Sequence, residues 1–308
     1  MPKKKNSKNG QLYMLAEDIR WLHVEASSKC NAWCPSCPRN VSGHGLYPNL
    51  TEQDLDLSVL KKTVEALPNL YAVQFCGNHG DPCAAKSFLD MIDIVKLHVK
   101  KIQIHTNGSI RNQQWWEKLA HKLADIEHDV WFGIDGLAGT HELYRQGTSW
   151  NKIIENATTF IDNGGFATWQ FITFKHNEHQ IKDCLKLSQK LKFKKFKLIK
   201  SFRRTEEAKD YVSGKSYITL EPSSVLIKSI KNLTKSSSVR KENCMHMSQP
   251  SIYLDSMGSY SYCCYYTSNW ASNKIKFDSL KDIFYNTVDI TSSQCVNSCG
   301  SSYETQSQ

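Results

Sequence analysis

Cys30-Asn31-Ala32-Trp33-Cys34-Pro35-Ser36-Cys37 places three thiols at C-x3-C-x2-C spacing, directly after the apolar run Trp21-Leu22-His23-Val24. Nothing else in so short a loop can act as a fourth soft ligand. Thiolates suit iron–sulfur clusters or zinc. On a four-iron cluster, three thiolates leave one iron open, and an open metal position is where chemistry takes place. A zinc knuckle and three unrelated core cysteines are the competing readings. The spacing alone does not separate them.

Composition narrows the class. A chain of 308 residues buries a large core, as one large or two modest domains. With 40% hydrophobic and 22% charged residues it reads as an ordinary soluble protein rather than a disordered one. No apolar run reaches the length of a membrane span. The basic start Met1-Pro2-Lys3-Lys4-Lys5 has no apolar segment behind it, so a cytoplasmic location is expected. There, eleven cysteines read as metal ligands or catalytic groups rather than as a disulfide scaffold. The formal charge of +9, densest from Lys190 to Arg204, permits an anionic partner, although most such lysines are solvated surface.

Outward from the cysteines, β-branched and apolar runs alternate with helical periods. Strands are expected at Trp21–Ala26, Tyr71–Cys76, Lys101–Thr106, Val130–Ile134, Ala167–Phe174 and Lys195–Ile199. Between them lie the stripes Phe88/Ile92/Val95/Val99, Trp116/Leu119/Ala120/Leu123, Trp150/Ile153/Ile154/Ala157/Phe160/Ile161 and Ile181/Cys184/Leu185/Ser188/Leu191. Six such units predict an α/β fold with a parallel sheet, open or partly closed into a barrel. Sites in such folds lie at the carboxyl ends of the strands. The loops expected there are the cysteine loop, Gly77–Pro82, Thr106–Ser109 and Gly133–Gly136. Beyond about residue 205 the rhythm stops. A hairpin follows, Ser251–Leu254 and Ser259–Tyr262 about an Asp255–Gly258 turn, and five cysteines fall in the last quarter.

With these loops in phase, the chain resembles the radical S-adenosylmethionine (SAM) superfamily. The resemblance rests on Cys30, Cys34 and Cys37, on Gly80-Asp81-Pro82, on Thr106-Asn107-Gly108 and on Gly133-Ile134-Asp135-Gly136. Its C-terminal part resembles the SPASM/Twitch extension: Cys244-x13-Gly258-x4-Cys263, then Cys295-x3-Cys299. The resemblance implies an N-terminal extension (1–19), a partial (β/α)6 barrel (20–205), a Twitch-like auxiliary-cluster domain (206–300) and a polar tail (301–308). It implies a four-iron four-sulfur cluster on Cys30, Cys34 and Cys37, whose open iron binds SAM. Reductive cleavage of SAM then gives a 5′-deoxyadenosyl radical that abstracts hydrogen from substrate. A second, auxiliary four-iron four-sulfur cluster is implied on Cys244, Cys263, Cys295 and Cys299, with Cys264 the alternative to Cys299.

The same resemblance assigns roles to the SAM-side loops. Gly80 and Asp81 match the Gly-Glu-Pro segment that receives the SAM ammonium, with an acid one methylene shorter. Asn107 matches the loop near SAM. Gly133 stands where many relatives carry serine, Asp135 keeps its place, and Arg145 matches an arginine that follows. Ser36 stands where many members have an aromatic residue. No residue is assigned to catalytic proton transfer. The implied partners are a reductant such as flavodoxin or ferredoxin and a peptidyl or small polar substrate. Nucleic-acid modification, suggested by charge alone, and a non-catalytic iron–sulfur or zinc protein are the alternatives.

Overall fold

The computed structural model describes residues 16–201, 206–224 and 250–261. Cys244, Cys263, Cys264, Cys295 and Cys299 lie outside the described residues, as do Arg203, Arg204 and the tail.

The run Trp21–Val24 forms strand β1, and the expected alternation follows it. A short pair, β2 (Asn40–Val41) and β3 (His44–Leu46), comes after the cysteine loop. Then come α1 (Leu57–Glu65), β4 (Ala72–Phe75), α2 (Phe88–Val95), β5 (Lys101–Thr106), α3 (Gln113–Leu123) and β6 (Glu127–Gly133). The chain continues through α4 (His141–Tyr144), α5 (Trp150–Asp162), β7 (Ala167–Thr173), α6 (Ile181–Lys190) and β8 (Lys195–Lys200). A second short pair, β9 (Glu206–Lys209) and β10 (Ser216–Leu220), precedes the hairpin β11 (Ser251–Leu254) and β12 (Tyr260–Ser261).

Eight strands form one sheet in the order β12-β11-β1-β4-β5-β6-β7-β8. Every pair in it is parallel except β11–β12. The expected fold class holds: six parallel strands with crossover helices make the partial barrel. The hairpin at 251–261, expected to belong to the C-terminal unit, does more than fold back on itself. Its first strand pairs with β1 in the register Val24↔Leu254, so the sheet continues past the boundary drawn at 205.

One rung of the sheet runs Leu254, Val24, Phe75, Ile104, Val130 and Ala167. All six are fully buried beneath the helices. Because side chains alternate along a strand, the neighbouring positions face the other way. That second face carries His23, Gln74, Gln103, His105, Trp131 and Gln170, which are polar or amphipathic.

The helices start where local chemistry allows. Asn112 and Ser149 accept hydrogen bonds from the first-turn amides of α3 and α5, and Asp56 does the same for α1. The stripe Trp116, Leu119, Ala120 and Leu123 is buried as its spacing predicts. On α6, Cys184 is buried but Leu185 is 38% exposed, contrary to the expected stripe. One residue is about 100° of helical turn, which carries Leu185 off the packed face.

Trp116 is fully buried against Phe132 and Phe160, with its indole N–H on the Ile110 carbonyl. Trp116→Ala is expected to cost about 3–5 kcal/mol, read as a lower urea midpoint. An unchanged midpoint would contradict the packing of α3.

Candidate active site at the carboxyl end of the sheet

The cysteine loop leaves β1 through Glu25-Ala26-Ser27-Ser28, and all four residues are buried. Gly80 explains how tightly the next loop packs there. A Cβ on Gly80 would lie 1.9 Å from the Ser27 carbonyl oxygen, so only glycine lets the two backbones pass. The amide of Asp81 then donates to the Lys29 carbonyl at 2.8 Å. Arg39 adds a second tie, donating to the carbonyls of Ser28 and His79 and pairing with Glu52.

Asp81 is buried, and its carboxylate is filled by protein donors. It accepts from the Cys83 amide (2.9 Å), the Thr106 hydroxyl (3.0 Å to each oxygen) and the Asn107 amide (2.7 Å). Burial pushes its carboxyl above the ordinary range, while the Asn107 and Cys83 amides work in the opposite direction. The residue matched to ammonium recognition therefore also clamps the loop after β5.

That clamp positions Asn107, whose Nδ2 donates to Cys30 Sγ at 3.5 Å and to Asn31 Oδ1 at 2.9 Å. The Ala32 amide also donates to Cys30 Sγ, at 3.3 Å. N–H groups aimed at sulfur favour its thiolate. Cys37 Sγ lies 3.9 Å from the Asn78 carbonyl oxygen. Cys34 packs against an apolar wall of Tyr144, Phe174, Ala208 and Leu220, partly supplied by the β9–β10 pair. Trp33 stacks on Tyr211 of the loop between β9 and β10 at 6.2 Å, covering the cysteine loop from outside.

Burial pushes the thiols of Cys30 and Cys34 up to about 12. For Cys30 the negative charge of Asp81 adds to this; for Cys34 the Arg145 guanidinium opposes it. Such thiols keep their protons until a metal displaces them. Among the described residues, no three His, Cys, Asp or Glu side chains converge on a single ion. In an iron–sulfur cluster N–H donors to a cysteine sulfur stabilise its thiolate, and the Ala32 and Asn107 N–H groups on Cys30 Sγ fit that demand.

Gly133 and Arg145 explain each other. A Cβ on Gly133 would lie 2.5 Å from Arg145 Nη2, so the guanidinium takes the volume a serine would need. Arg145 Nε donates to Asp135 Oδ2 at 2.6 Å, and Asp135 Oδ1 accepts from the Ile172 amide at 2.6 Å. Asp135 is fully buried. Burial raises its carboxyl, with Arg145 pulling the other way. Burial opposes the charge on Arg145 in turn, but Asp135, Cys34 and Tyr144 together outweigh it and its pKa rises. Burial, then the Arg145 charge, depress His141 to about 3, so its ring is neutral and Nδ1 accepts from the Asp135 amide.

Sequence reasoning missed Glu25. Its Oε1 accepts from the amides of His79 (2.5 Å) and Gly80 (3.2 Å), and its Oε2 from the Tyr253 hydroxyl (2.7 Å). No spacing pattern marks it, because its partners come from the β4 loop and the distant hairpin. His79 is thus a local partner of Glu25. Cys83 and Cys184 are core residues, and Cys76 offers its carbonyl to His23 Nε2 at 2.8 Å.

Two outcomes follow from these buried charges. Asp135→Asn leaves Arg145 buried without its counter-charge and is expected to cost about 3–5 kcal/mol in denaturant titration; a loss below about 1 kcal/mol would mean the pair is solvated. Burial alone would raise the Glu25 carboxyl, but the His79 contacts outweigh it and hold it below 4.5. The stability it contributes is therefore present above pH 4.5 and lost as pH falls below it. Glu25→Gln should flatten that acid-side loss, and an unchanged pH profile would contradict the assignment.

No family model matches the sequence. Over 122 residues, 39% of this chain, it is 28% identical to the tungsten-containing aldehyde ferredoxin oxidoreductase cofactor-modifying protein of Pyrococcus furiosus, and the match spans 32% of that protein's length. The fold is similar to that of anSMEcpe with bound S-adenosylmethionine: TM-score 0.59 and 18% identity, covering 87% of this chain and 80% of that one. It is also similar to Streptococcus suis SuiB bound to the precursor peptide SuiA, with a TM-score of 0.61 and 14% identity over 90% of this chain and 66% of that one. Among the described residues, no helix is long and apolar enough to cross a membrane. The architecture of the described residues is thus that of the partial barrels to which it is similar.

Proposed function

We propose that the protein is a radical SAM enzyme that acts on a peptide. The observation that carries the reading is the convergence on Cys30: the Asn107 amide from the β5 loop touches its sulfur, and Asp81 of the β4 loop holds Asn107. A scaffold protein would not need three strand-end loops gathered on one thiol. Cys30, Cys34 and Cys37 would hold the cluster, leaving one iron for SAM. A reduced cluster held by Cys30, Cys34 and Cys37 would supply the electron for reductive cleavage of SAM and so the chemistry of hydrogen-atom abstraction from substrate.

The chain's own residues set the conditions. Asn107 and the Ala32 amide stabilise charge on the Cys30 sulfur. Arg145 offsets negative charge beside Cys34. The wall of Tyr144, Phe174, Ala208 and Leu220 keeps water from one side of the loop. Asp81 fixes loop geometry through the donors on its carboxylate, and the sequence resemblance assigns it to the SAM ammonium. The peptide reading is supported by structural likeness to SuiB bound to SuiA and to anSMEcpe with the Kp18Cys peptide. An auxiliary cluster on Cys244, Cys263, Cys295 and Cys299, and reduction by a flavodoxin- or ferredoxin-like donor, complete the proposal.

Anaerobic reconstitution with iron and sulfide tests it. The protein should bind about eight irons with both clusters and about four with one. Dithionite and SAM should then yield 5′-deoxyadenosine, and Cys30→Ala should lose both the product and about four irons. No 5′-deoxyadenosine, with iron content unchanged in Cys30→Ala, would overturn the reading.

A further inference from the structure

The second face of the sheet carries a polar belt that none of the cluster or SAM contacts uses. His105 Nε2 lies 3.3 Å from Gln74 Nε2, so the amide donates and Nε2 accepts. The other side of the ring is held by Gln170. Burial, then the neighbouring His23, depress His105 to about 4, so the ring is neutral near pH 7. His105 stacks on Trp131 at 4.6 Å, and His23 meets Tyr253 edge-on at 4.8 Å. The belt crosses the sheet from β11 to β7.

The belt sits directly below the site. His105 precedes Thr106, whose hydroxyl is on Asp81. Gln170 pairs in register with Gly133, the residue against Arg145. The nearby carboxylates are already engaged: Asp129 with Lys195 and Thr168, and Glu25 with His79 and Tyr253. The cation nearest in register, Lys197 beside Gln170, is on edge strand β8 and exposed. The middle of the face therefore offers hydrogen bonds without net charge.

One group there is incomplete. The Trp131 indole N–H is buried and has no acceptor among the described residues. A buried donor left unpaired is unfavourable, and an acceptor oxygen brought to it removes that cost. A carboxylate or phosphate would be poorly matched, since leaving water for an uncharged site carries a desolvation penalty that no paired cation offsets.

We propose that this belt, centred on Trp131, His105, Gln74 and Gln170, binds an uncharged amide of the substrate, with the Trp131 N–H donating to its carbonyl oxygen. This rests on the peptide reading above and specifies the group recognised. Peptide backbone and carboxamide side chains carry that group; a nucleic-acid phosphate does not.

The full-length chain labelled with 15N at tryptophan indoles, free of iron and SAM, tests it by NMR titration with N-acetylglycinamide. The Trp131 signal, assigned by its absence in Trp131→Phe, should move downfield and saturate. Equal concentrations of acetate and inorganic phosphate should leave it in place. Gln170→Leu should weaken the amide response about tenfold, the factor carried by one hydrogen bond. A Trp131 signal that ignores the amide, or follows phosphate equally, overturns the proposal. Because no cluster is present, the result is independent of whether the chain forms 5′-deoxyadenosine.

Discussion

Asp81 is one buried carboxylate at the junction of two loops, and the geometry of the cysteine site depends on it. Its oxygens accept from the Cys83 amide, the Thr106 hydroxyl and the Asn107 amide. Asn107 then reaches Cys30 and Asn31, so the clamp on the β5 loop is transmitted to the first thiol. Hydrogen bonds to a charged acceptor contribute about 1.5–3 kcal/mol each, whereas a buried carboxylate without them would be strongly unfavourable. Aspartate suits this geometry because its short stem keeps the carboxylate near its own backbone, where it also caps the turn at Pro82–Ala84.

A second constraint is charge. Arg145 and Asp135 form a buried pair between the β6 loop and the end of α4, and Arg145 lies close enough to Cys34 to lower its cost of ionisation. The pair occupies space that Gly133 leaves open. A positive group beside the three cysteines would reduce repulsion among them if they ionise. The apolar wall of Tyr144, Phe174, Ala208 and Leu220 raises the effective strength of such interactions on its side by removing water.

The features legible in the sequence are those set by local pattern. Strand alternation, helix stripes and glycine-bearing loops each lie within a few residues, so the residues alone place β1, β4 to β8 and the loops that follow them. Long-range pairing has no such signature. Tyr253 meets Glu25 across 228 positions, and no local feature says that Ser251–Leu254 will take the sheet edge beside β1. In the sequence Gly133 stands for a missing serine; only the fold shows that the Arg145 guanidinium fills its place. The α6 stripe misplaces Leu185 because a run of adjacent apolar residues does not say where the packed arc ends.

The proposed chemistry requires an open iron at Cys30, Cys34 and Cys37. The most direct measurement is electron–nuclear double resonance on the reduced, reconstituted protein with SAM 15N-labelled at its amino group. A nitrogen coupling that shows direct bonding to iron, present with SAM and absent in Cys30→Ala, is the predicted result. A reduced cluster whose spectrum is indifferent to SAM, or an iron-free protein with bound zinc, would contradict it.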